Sequence, residues 1–315
     1  MRTLVTGGAG FIGSHLVDLL LAEGHNVTIV DNLSTGRLRN VNPSARFEAV
    51  DITSPKLGDV IRSTKPEVVF HQAAQSSVKV STDDPMRDAD INILGLLRLL
   101  EACSENGVRK VIFASSGATY GNPDYLPMDE AHPQRPEAPY GISKMVSEHY
   151  LKYYALDRGV TFTALRYGNV YGPRQDPHGE AGVVAIFARQ LLAGATPTIH
   201  SDGEQTRDYV SVRDIARANL LAATRGDGHC LCIGTGRGTS VNEIFAHLCE
   251  IAELKVTPTR SPRRPGDLRH AHFDCSRARA ELGWEPTVPL VDGLRETVAW
   301  FRADLASEQL ATTSA

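Results

Sequence analysis

The sequence predicts an α/β protein built on a doubly wound parallel sheet, with a smaller lobe towards the C-terminus. In the first half of the chain, short apolar runs alternate with amphipathic stretches of helical periodicity. The apolar runs are almost unbroken, which is typical of parallel strands covered by helices on both faces. A glycine-rich turn at residues 7–13 joins the first predicted strand to the first predicted helix. These three observations together indicate the fold class.

The elements of the predicted sheet follow from their periodicity. Each strand is a short run rich in Val, Ile and Leu, and each helix repeats its apolar residues at helical spacing. The predicted strands are residues 2–6, 26–30, 46–50, 67–71, 109–115 and 160–166. The predicted helices are residues 11–23, 55–64, 85–106 and 137–157. Their alternation predicts a sheet wound on both faces.

The composition of the sequence changes after residue 167, where glycine and proline become frequent. We therefore expect residues 1–167 to form the sheet domain and residues 168–315 to form mainly a smaller lobe. In the second half, helices are predicted at 183–193, 212–223 and 290–303, and strands near 198–200 and at 229–234. The segment from about 204 to 235 is predicted to return to the sheet domain. The polar C-terminal tail is expected to fray.

Composition argues against several classes of protein. The 315 residues carry a formal net charge of −4, which argues against a nucleic-acid or acidic-membrane partner. No apolar run approaches the ~20 residues of a membrane span. The first strand begins almost at Met1, which leaves no room for a signal peptide. Five cysteines without Cys-x-x-Cys spacing favour buried thiols over a metal or redox site. We therefore expect a cytoplasmic protein without a metal.

The glycine-rich turn has the form Gly7-x-x-Gly10-x-x-Gly13, and Phe11 and Ile12 open the helix. Glycine lets the backbone turn tightly and approach a pyrophosphate, whose charge the N-terminus of a helix favours. A glycine turn alone is a weak signal. Its position between a predicted strand and a predicted helix makes a dinucleotide site the better interpretation.

Acidic residues at strand ends extend this site. The residues expected around the adenosine are Asp31, Asn32, Asp51 and Ile52. A carboxylate at Asp31 can accept hydrogen bonds from the ribose and would repel a 2′-phosphate, which predicts NAD rather than NADP. Arg37 and Arg39 lie downstream and could bind a 2′-phosphate, which weakens the argument against NADP. The alternative for Asp31 is an ordinary turn residue at a strand end.

Tyr140 and Lys144 are four residues apart in a predicted helix and therefore share one of its faces. An ammonium near a phenol favours the phenolate, so the phenol can act as a base closer to neutrality than its ordinary pKa of ~10. Ser116 adds a hydroxyl at the end of the fifth predicted strand. The spacing alone occurs often by chance. Together with the glycine turn, it predicts a proton-transfer base, a cation that tunes it and a hydroxyl that orients the substrate.

These motifs resemble the extended short-chain dehydrogenase/reductases and, within them, the UDP-glucose (UDP-galactose) 4-epimerases. The resemblance extends from Thr6 to about Trp300 and rests on the glycine turn, the Tyr-x-x-x-Lys pair and the strand end Ser115-Ser116. It implies a Rossmann dinucleotide-binding domain, bound NAD, a UDP-sugar substrate and a cytoplasmic enzyme. It also implies a homodimer built from the helices at 85–106 and 137–157.

The resemblance assigns further residues to the two ligands. Around the cofactor, the matching residues are Ala73, Ala74, Asn92, Ser115 and Tyr167, with Tyr140 and Lys144 also in contact. Around the nucleotide sugar, the matching residues are Ser116, Tyr140, Asn169, Arg174, Arg207, Arg264 and Asp267. Guanidinium groups suit a diphosphate because their paired donors match phosphate oxygens. A nucleic-acid patch is the alternative for the arginines, and the acidic total charge argues against it.

The implied reaction inverts C4 of the sugar through a 4-keto intermediate. Tyr140 removes the proton of the 4-hydroxyl, hydride passes from C4 to NAD, and it returns to the other face of the sugar. Lys144 keeps Tyr140 acidic, and Ser116 bonds the same sugar oxygen. NAD is regenerated in each cycle and need not dissociate.

Other reactions on this scaffold remain alternatives. Related dehydratases and decarboxylases carry carboxylates after the catalytic hydroxyl, whereas this chain has Gly117 and Ala118 there. A small residue at Ala271 would leave room for an N-acetyl group, so UDP-GlcNAc is an alternative substrate, as is UDP-glucuronate. A protein that binds NAD without catalysis is a further alternative, but such proteins usually lose the Tyr or the Lys that this chain keeps.

Overall fold

The computed structural model describes residues 1–178, 182–263 and 266–313. Its strands are β1 Arg2–Thr6, β2 Asn26–Val30, β3 Arg46–Glu48, β4 Val68–His71, β5 Lys110–Ser116, β6 Thr161–Tyr167, β7 Asn169–Tyr171, β8 Thr198–His200, β9 Thr206–Ser211, β10 His229–Ile233, β11 Gly238–Ser240 and β12 Thr259–Ser261. Its α-helices are α1 Phe11–Ala22, α2 Lys56–Thr64, α3 Val78–Asp83, α4 Pro85–Ala89, α5 Gly95–Glu105, α6 Pro139–Asp157, α7 Val183–Leu192, α8 Val212–Ala222, α9 Val241–Ala252, α10 Ser276–Leu282 and α11 Leu290–Thr313.

The largest sheet has seven parallel strands in the order β3-β2-β1-β4-β5-β6-β10. The order reverses between β1 and β4, and the crevice at their carboxyl ends is where dinucleotides bind in this architecture. β5 extends beyond β4, because His71 ends β4 opposite Phe113 whereas β5 continues to Ser116 opposite Tyr167. The doubly wound parallel sheet that the sequence predicts is confirmed.

Two layers of helices cover the sheet and explain its unbroken apolar strands. Successive side chains alternate between the two faces. Val5 and Phe70 therefore pack with α1 and α8, whereas Leu4 and Val69 pack with α2, α5 and α6. All four side chains are fully buried, and each contributes about 1.5–3 kcal/mol. Both faces belong to the core, so only the strand ends are left for chemistry.

The second half of the chain forms a smaller lobe with a core of its own. α7, α9 and α11 pack together around Phe187, Phe245 and Phe301. β7, β9 and β11 form a three-stranded sheet, and β8 pairs with β12. Two elements return to the large sheet: α8 packs on α1, and β10 pairs with β6. The boundary at residue 167 stays a prediction.

Several elements differ from those that the sequence predicts. The helix predicted over 85–106 consists of α4 and α5 joined by a π-helical turn, Asp90–Leu94. α11 runs on to Thr313, where the sequence predicts a frayed tail beyond residue 303. α9 lacks a counterpart among the predicted helices, although Ser240 and Glu243 form a capping box at its start. That pair is a signal in the sequence from which α9 can be located.

The described residues include no helix that is long and apolar enough to cross a membrane. The five cysteines are free. Within the same residues, no group of three or more His, Cys, Asp or Glu side chains is arranged to hold a metal ion.

Candidate active site

The glycine turn between β1 and α1 is too tight for side chains at two positions. Gly7 has a φ of +70°, in the left-handed region that favours glycine. A Cβ on Gly13 would lie 2.1 Å from the carbonyl oxygen of Gly7. α1 begins at Phe11, directly after Gly10, which has no side chain to cap the first turn. The N–H groups of this turn, including that of Ile12, can therefore serve a pyrophosphate, which fits NAD.

Asp31 connects the glycine turn to the end of β2. Its Oδ2 accepts a hydrogen bond from the N–H of Ala9 at 3.0 Å, and its Oδ1 accepts one from Leu33 at 2.8 Å. A Cβ on Gly36 would come within 2.7 Å of Oδ1, so the following loop folds directly over the carboxylate. Each oxygen keeps a second lone pair. Asp31 therefore braces the turn and retains the capacity to bond a ribose.

The other residues expected around the adenosine lie beside Asp31. Asn32 donates to Oδ2 of Asp51 at 2.6 Å, and Thr53 donates to Oδ1 from its N–H and its hydroxyl, both at 2.7 Å. Burial opposes ionisation of Asp51, but these hydrogen bonds outweigh it and lower the pKa of the carboxyl. Ile52 is buried against Gly95, where an added Cβ would lie 3.1 Å from its Cδ1. The structure brings these predicted residues to one edge of the sheet.

Thr6, at the end of β1, fixes the segment that follows β4. Its hydroxyl bonds Nδ1 of His71 at 2.7 Å and accepts the N–H of Ala73 at 3.2 Å. Burial lowers the pKa of His71 to about 3, so this ring is neutral near pH 7. The segment that contains Ala73 and Ala74 thereby runs against the glycine turn, where a Cβ on Gly7 would lie 2.7 Å from the nitrogen of Ala73.

Tyr140, Lys144 and Ser116 meet where β5 ends and α6 begins. Lys144 is buried, donates from Nζ to the carbonyl of Ala114 at 2.8 Å and lies 5.8 Å from the centre of the Tyr140 ring. The Ser116 side chain hydrogen-bonds Tyr140, and its oxygen accepts the N–H of Ala118 at 3.1 Å. The phenol and the ammonium of α6 therefore lie beside a hydroxyl from the end of β5, a different part of the sequence.

The acidity of the Tyr140 phenol differs from the expectation that Lys144 lowers its pKa. Burial raises the pKa of Tyr140 above its ordinary value, and the hydrogen bond with Ser116 only partly offsets this rise. Burial also lowers the pKa of Lys144 to about 8, although the carboxylates of Asp88 and Glu148 act to raise it. Desolvation dominates because both groups are removed from water. Burial therefore disfavours the phenolate form of Tyr140 in this site.

Asn92, in the π-helical turn, ties three segments together. Its Nδ2 lies 2.9 Å from the carbonyl of Gln75, 2.9 Å from Oδ1 of Asp88 and 3.2 Å from Oγ of Ser143. Its Oδ1 accepts the N–H of Gln75 at 3.0 Å. The sequence predicts Asn92 as a cofactor residue but gives no role to Asp88. Asp88 lies four residues before Asn92, so the two share a helix face, which is the one signal that the sequence offers. That spacing does not indicate that Asp88 is buried.

A buried ion pair, which the sequence does not reveal, supports the end of β5. Arg166 bonds Glu148 through Nη2 to Oε2 at 2.6 Å and through Nε to Oε1 at 2.9 Å. Ser115 donates to Oε1 of Glu148 at 2.6 Å, so its hydroxyl proton is engaged by the ion pair, and its cofactor contact stays a prediction. Neighbouring strand residues face opposite sides, which is why Ser116 meets Tyr140 while Ser115 does not.

At the end of β6, Tyr167 belongs to a ring of three side chains that hydrogen-bond one another. Its hydroxyl donates to Oε1 of Gln72 at 3.3 Å and accepts from Nδ2 of Asn219 at 2.7 Å. Nε2 of Gln72 completes the set by donating to Oδ1 of Asn219 at 3.0 Å. Burial raises the pKa of Tyr167, so this phenol stays neutral. Tyr167 is thereby fixed opposite Ser116.

Two of the residues expected at the nucleotide sugar form an ion pair with each other. Arg207, on β9, pairs through Nη2 with the carboxylate of Asp267 and donates from Nη1 to the carbonyl of Thr206 at 2.9 Å. Asn169 begins β7 and is half-buried. Arg264, the second arginine expected at the diphosphate, lies outside the described residues.

Arg174, an expected substrate contact, forms an ion pair with α1. Its backbone is left-handed, with a φ of +68°, and its guanidinium pairs with Asp18 at 2.8 Å. Asp18 belongs to α1, and His15 on the same helix bonds the carbonyl of Pro173 at 2.9 Å. These contacts fasten the loop after β7 to α1, and the substrate contact of Arg174 stays a prediction.

An aromatic ring covers the position after Ser116. A Cβ on Gly117 would lie 2.8 Å from Cζ of Phe273. Phe273 is buried in a small cluster with Tyr120, and Ala271 packs against the edge of that cluster. A carboxylate side chain at residue 117 would require the Phe273 ring to move.

The chain is similar to known proteins along nearly its whole length. Residues 3–234 match the NAD dependent epimerase/dehydratase family. A UDP-glucose 4-epimerase of Mycolicibacterium smegmatis is 48% identical over 309 residues, which cover 96% of this chain and 99% of that protein. The crystal structure of UDP-glucose 4-epimerase with UDP-glucose from Thermotoga maritima is 49% identical, with a TM-score of 0.95 over 97% of this chain and 100% of that chain. The Thermus thermophilus enzyme in complex with NAD is 46% identical, with a TM-score of 0.91 over 96% and 99% of the two chains.

Proposed function

Because this chain belongs to the NAD dependent epimerase/dehydratase family, we infer that it is a UDP-glucose 4-epimerase, an isomerase that uses NAD to interconvert UDP-glucose and UDP-galactose. The observation that carries the chemical assignment is the meeting of Tyr140, Ser116 and Lys144 at the carboxyl end of β5. This end of the sheet is also where the glycine turn and Asp31 lie.

We assign Tyr140 as the base that removes the proton of the sugar 4-hydroxyl. In the substrate complex, the single hydroxyl proton of Ser116 turns from Tyr140 to the same sugar oxygen and steadies it during the transfer. When bound, NAD would supply reversible hydride transfer at C4 through a 4-keto sugar, and its oxidised ring would bring a positive charge, which favours the ionised form of a buried phenol such as Tyr140. The proton goes back from Tyr140 to the carbonyl oxygen, so neither proton nor hydride is lost.

The residues that would hold NAD are those at the strand ends. The first-turn N–H groups after Gly10 suit the pyrophosphate, and Asp31 suits the adenosine ribose. Lys144 has donors beyond the one given to Ala114, and we assign one of them to the nicotinamide ribose. Asp51, Ile52 and the 73–74 segment line the same edge, which supports their predicted contacts.

The diphosphate of the substrate is assigned to Arg207. A guanidinium has five N–H donors, and the bonds to Asp267 and Thr206 engage two of its three nitrogen atoms. The remaining donors can bind phosphate while Asp267 holds the group in place. Asn169 and Arg264 stay predicted substrate contacts. Arg174 pairs with Asp18, and its substrate contact also stays a prediction.

The packing at Gly117 supports epimerisation over dehydration. Elimination of water needs an acid and a base of its own next to the catalytic hydroxyl. Gly117 and Ala118 supply neither, and Phe273 fills the space that a side chain on Gly117 would need. Epimerisation needs no second acid–base pair, so it fits this site.

A UDP-N-acetylhexosamine is the second candidate substrate. Ala271 is half-buried at the edge of the Phe273 cluster, and its N–H bonds the carbonyl of Thr206, next to Arg207. A methyl side chain there leaves space beside the sugar for a substituent on C2. Comparing kcat/KM on UDP-galactose and UDP-GalNAc decides between the two classes.

We further propose a cytoplasmic homodimer. Exposed apolar side chains occur on α6 and on the π-helical turn that precedes α5, namely Ile142, Tyr153, Leu156 and Leu94. These two helical segments are the ones that the resemblance assigns to the dimer. The five free cysteines suit a reducing compartment.

Turnover of UDP-galactose by the purified protein tests the proposed function. We expect an equilibrium mixture with UDP-glucose, formed without release of NADH and resolved by anion-exchange chromatography. NADH formed in step with product would identify a net dehydrogenase. A 4-keto-6-deoxy product would identify a dehydratase.

A further inference from the structure

Asp88, a buried carboxylate on α4, has no part in the chemistry described so far. Its side chain is 1% exposed. Its Oδ1 accepts hydrogen bonds from the side-chain amides of Gln75 and Asn92, both at 2.9 Å. Both donors are neutral, so they satisfy the oxygen without cancelling its charge. Burying a carboxylate among neutral groups is costly, so its position needs an explanation.

Lys144 is the buried cation on the stretch of α6 to which Asp88 is linked through Asn92 and Ser143. Asn92, which bonds Asp88, lies 3.2 Å from Oγ of Ser143, the residue before Lys144 on α6. Ser147, one turn further along α6, donates to the carbonyl of Asn92 at 3.2 Å. These contacts pin α4 and the π-helical turn to the part of α6 that carries Lys144. Among the charges that raise the pKa of Lys144, Asp88 has the largest effect.

Within the described residues, the second carboxylate that acts on Lys144 is paired, and the other contacts of this lysine are neutral. On α6, Glu148 is bonded by Arg166 at 2.6 and 2.9 Å, so its charge is already paired. From the sheet, β4 contributes the neutral ring of His71, and β5 contributes the carbonyl of Ala114 at 2.8 Å.

The last two neighbours of Lys144 are aromatic. The ring centre of Phe113 lies 4.7 Å from Nζ, and that of Tyr140 lies 5.8 Å away. Burial and, to a smaller extent, the charge of Asp88 raise the pKa of Tyr140, which keeps this phenol neutral, so the charge can favour the phenolate only through Lys144. Asp88 is thus the carboxylate around Lys144 whose hydrogen-bond donors are neutral amides.

We propose that Asp88 is a positioning residue for the reaction, and that its buried charge keeps Lys144 protonated. A neutral amine at Lys144 would carry no positive charge to favour the phenolate of Tyr140, and it would have fewer N–H donors than the ammonium. The inference rests on the function proposed for Lys144. It also gives the π-helical turn a purpose, because this turn carries Asn92, which links Asp88 to α6. Such turns occur frequently at functional sites.

The test measures the ionisation of Lys144 itself by NMR. The chain has seven lysines, so ¹³Cε and ¹⁵Nζ signals of lysine-labelled protein can be followed with pH and assigned with Lys144→Arg. Asp88→Asn keeps the shape and an accepting oxygen but removes the charge. We expect the pKa of Lys144 to fall by about one unit in this variant. The alkaline limb of the kcat/KM profile should move to lower pH by the same amount.

Asp90→Asn is the matched control, since it makes the same substitution two positions away at an exposed residue that pairs with Arg98 at 3.3 Å. Asp90→Asn should leave the pKa of Lys144 unchanged. Asp88→Glu, which keeps the negative charge, should give a Lys144 pKa close to that of the wild type. If circular dichroism shows that Asp88→Asn does not fold, Asp88→Ser is measured instead. An unchanged Lys144 pKa in a folded, charge-free variant overturns the proposal. The NMR measurement does not depend on turnover. Failure of this proposal can therefore be told apart from failure of the proposed function, which would show as a wild-type protein that epimerises no UDP-sugar.

Discussion

The ionisation of the Tyr140 phenol is set by three effects. Burial and the charge of Asp88 raise its pKa, whereas the hydrogen bond with Ser116 favours the ionised form. Burial has the largest effect, so the protein by itself favours the neutral phenol. This behaviour follows from desolvation, and the spacing of Tyr140 and Lys144 alone does not predict it.

Replacing Tyr140 by phenylalanine should abolish epimerisation and leave the fold intact. The loss should be at least about 10²–10⁴-fold in kcat, the usual contribution of a positioned proton-transfer group. UDP binding, measured by calorimetry, should change little because Arg207 does not depend on the phenol. Tyr153→Phe is the control, since Tyr153 lies on the same helix but donates to Asp157 at the surface. Wild-type turnover in Tyr140→Phe would refute the assignment of the base.

His71 should make the fold sensitive to acid. Its pKa is lowered by burial to about 3, whereas the unfolded chain retains the ordinary value of about 6.5. Between these values the unfolded state binds the extra proton, so the free energy of unfolding falls as the pH falls from 6.5 towards 3. Each pH unit in that window removes up to about 1.4 kcal/mol through this group.

Urea unfolding of the wild type and His71→Gln at pH 7, 6, 5 and 4 checks this dependence. The advantage of the wild type over the variant should shrink as the solution becomes more acidic. His178→Gln, at an exposed histidine, should show a constant difference from the wild type. A wild-type advantage that stays constant with pH for His71→Gln would contradict the prediction.

The turn between β1 and α1 shows which local features a sequence can reveal. Three glycines at regular spacing predicted the turn, and the structure gives the reason, since a Cβ on Gly13 would collide with the carbonyl of Gly7. The π-helical turn Asp90–Leu94 carries no comparable signal. Its residues fit an ordinary helix, and the deviation accompanies contacts with α6 that lie far away in the sequence. The sequence therefore predicts a feature that depends on local steric limits, but not one that depends on contacts between distant segments.

Gly13→Ala should destroy the cofactor site through the backbone. The added carbon would lie 2.1 Å from the carbonyl oxygen of Gly7, so the turn must open. We expect a loss of about 1–3 kcal/mol of stability, as for strained core substitutions, and NAD binding too weak to detect by fluorescence titration. Gly58→Ala on α2 is the matched control, because its Cβ would meet Ala102 at a comfortable 4.0 Å. That variant should bind NAD normally and gain up to about 1 kcal/mol.

At the scale of the whole molecule, the sequence predicts the structures that come from a repeating pattern. It does not predict the contacts between segments that are distant in the chain. The parallel sheet follows from alternating apolar runs, and the proximity of Tyr140 and Lys144 follows from their spacing on one helix. The Glu148–Arg166 pair joins α6 to β6, and the Asp88–Asn92 contact spans a helix junction. Neither has a fixed spacing in the sequence. The ion pair of Arg174 with Asp18 joins residues more than 150 positions apart, so the sequence does not predict it either.

The assembly of the whole enzyme can be probed at α6. Leu156 is 90% exposed on this helix, an unfavourable position for a large apolar side chain unless a second subunit covers it. Leu156→Glu should therefore dissociate the dimer, giving half the molar mass in size-exclusion chromatography with light scattering. The variant should keep its circular dichroism spectrum, because the side chain contributes little to the core of its own subunit. Leu38→Glu is the control: it is also exposed, but it lies close to Val41, which packs with the opposite helix layer. Unchanged mass in Leu156→Glu would exclude this face of α6 from the interface, and a monomeric wild type would exclude the dimer itself.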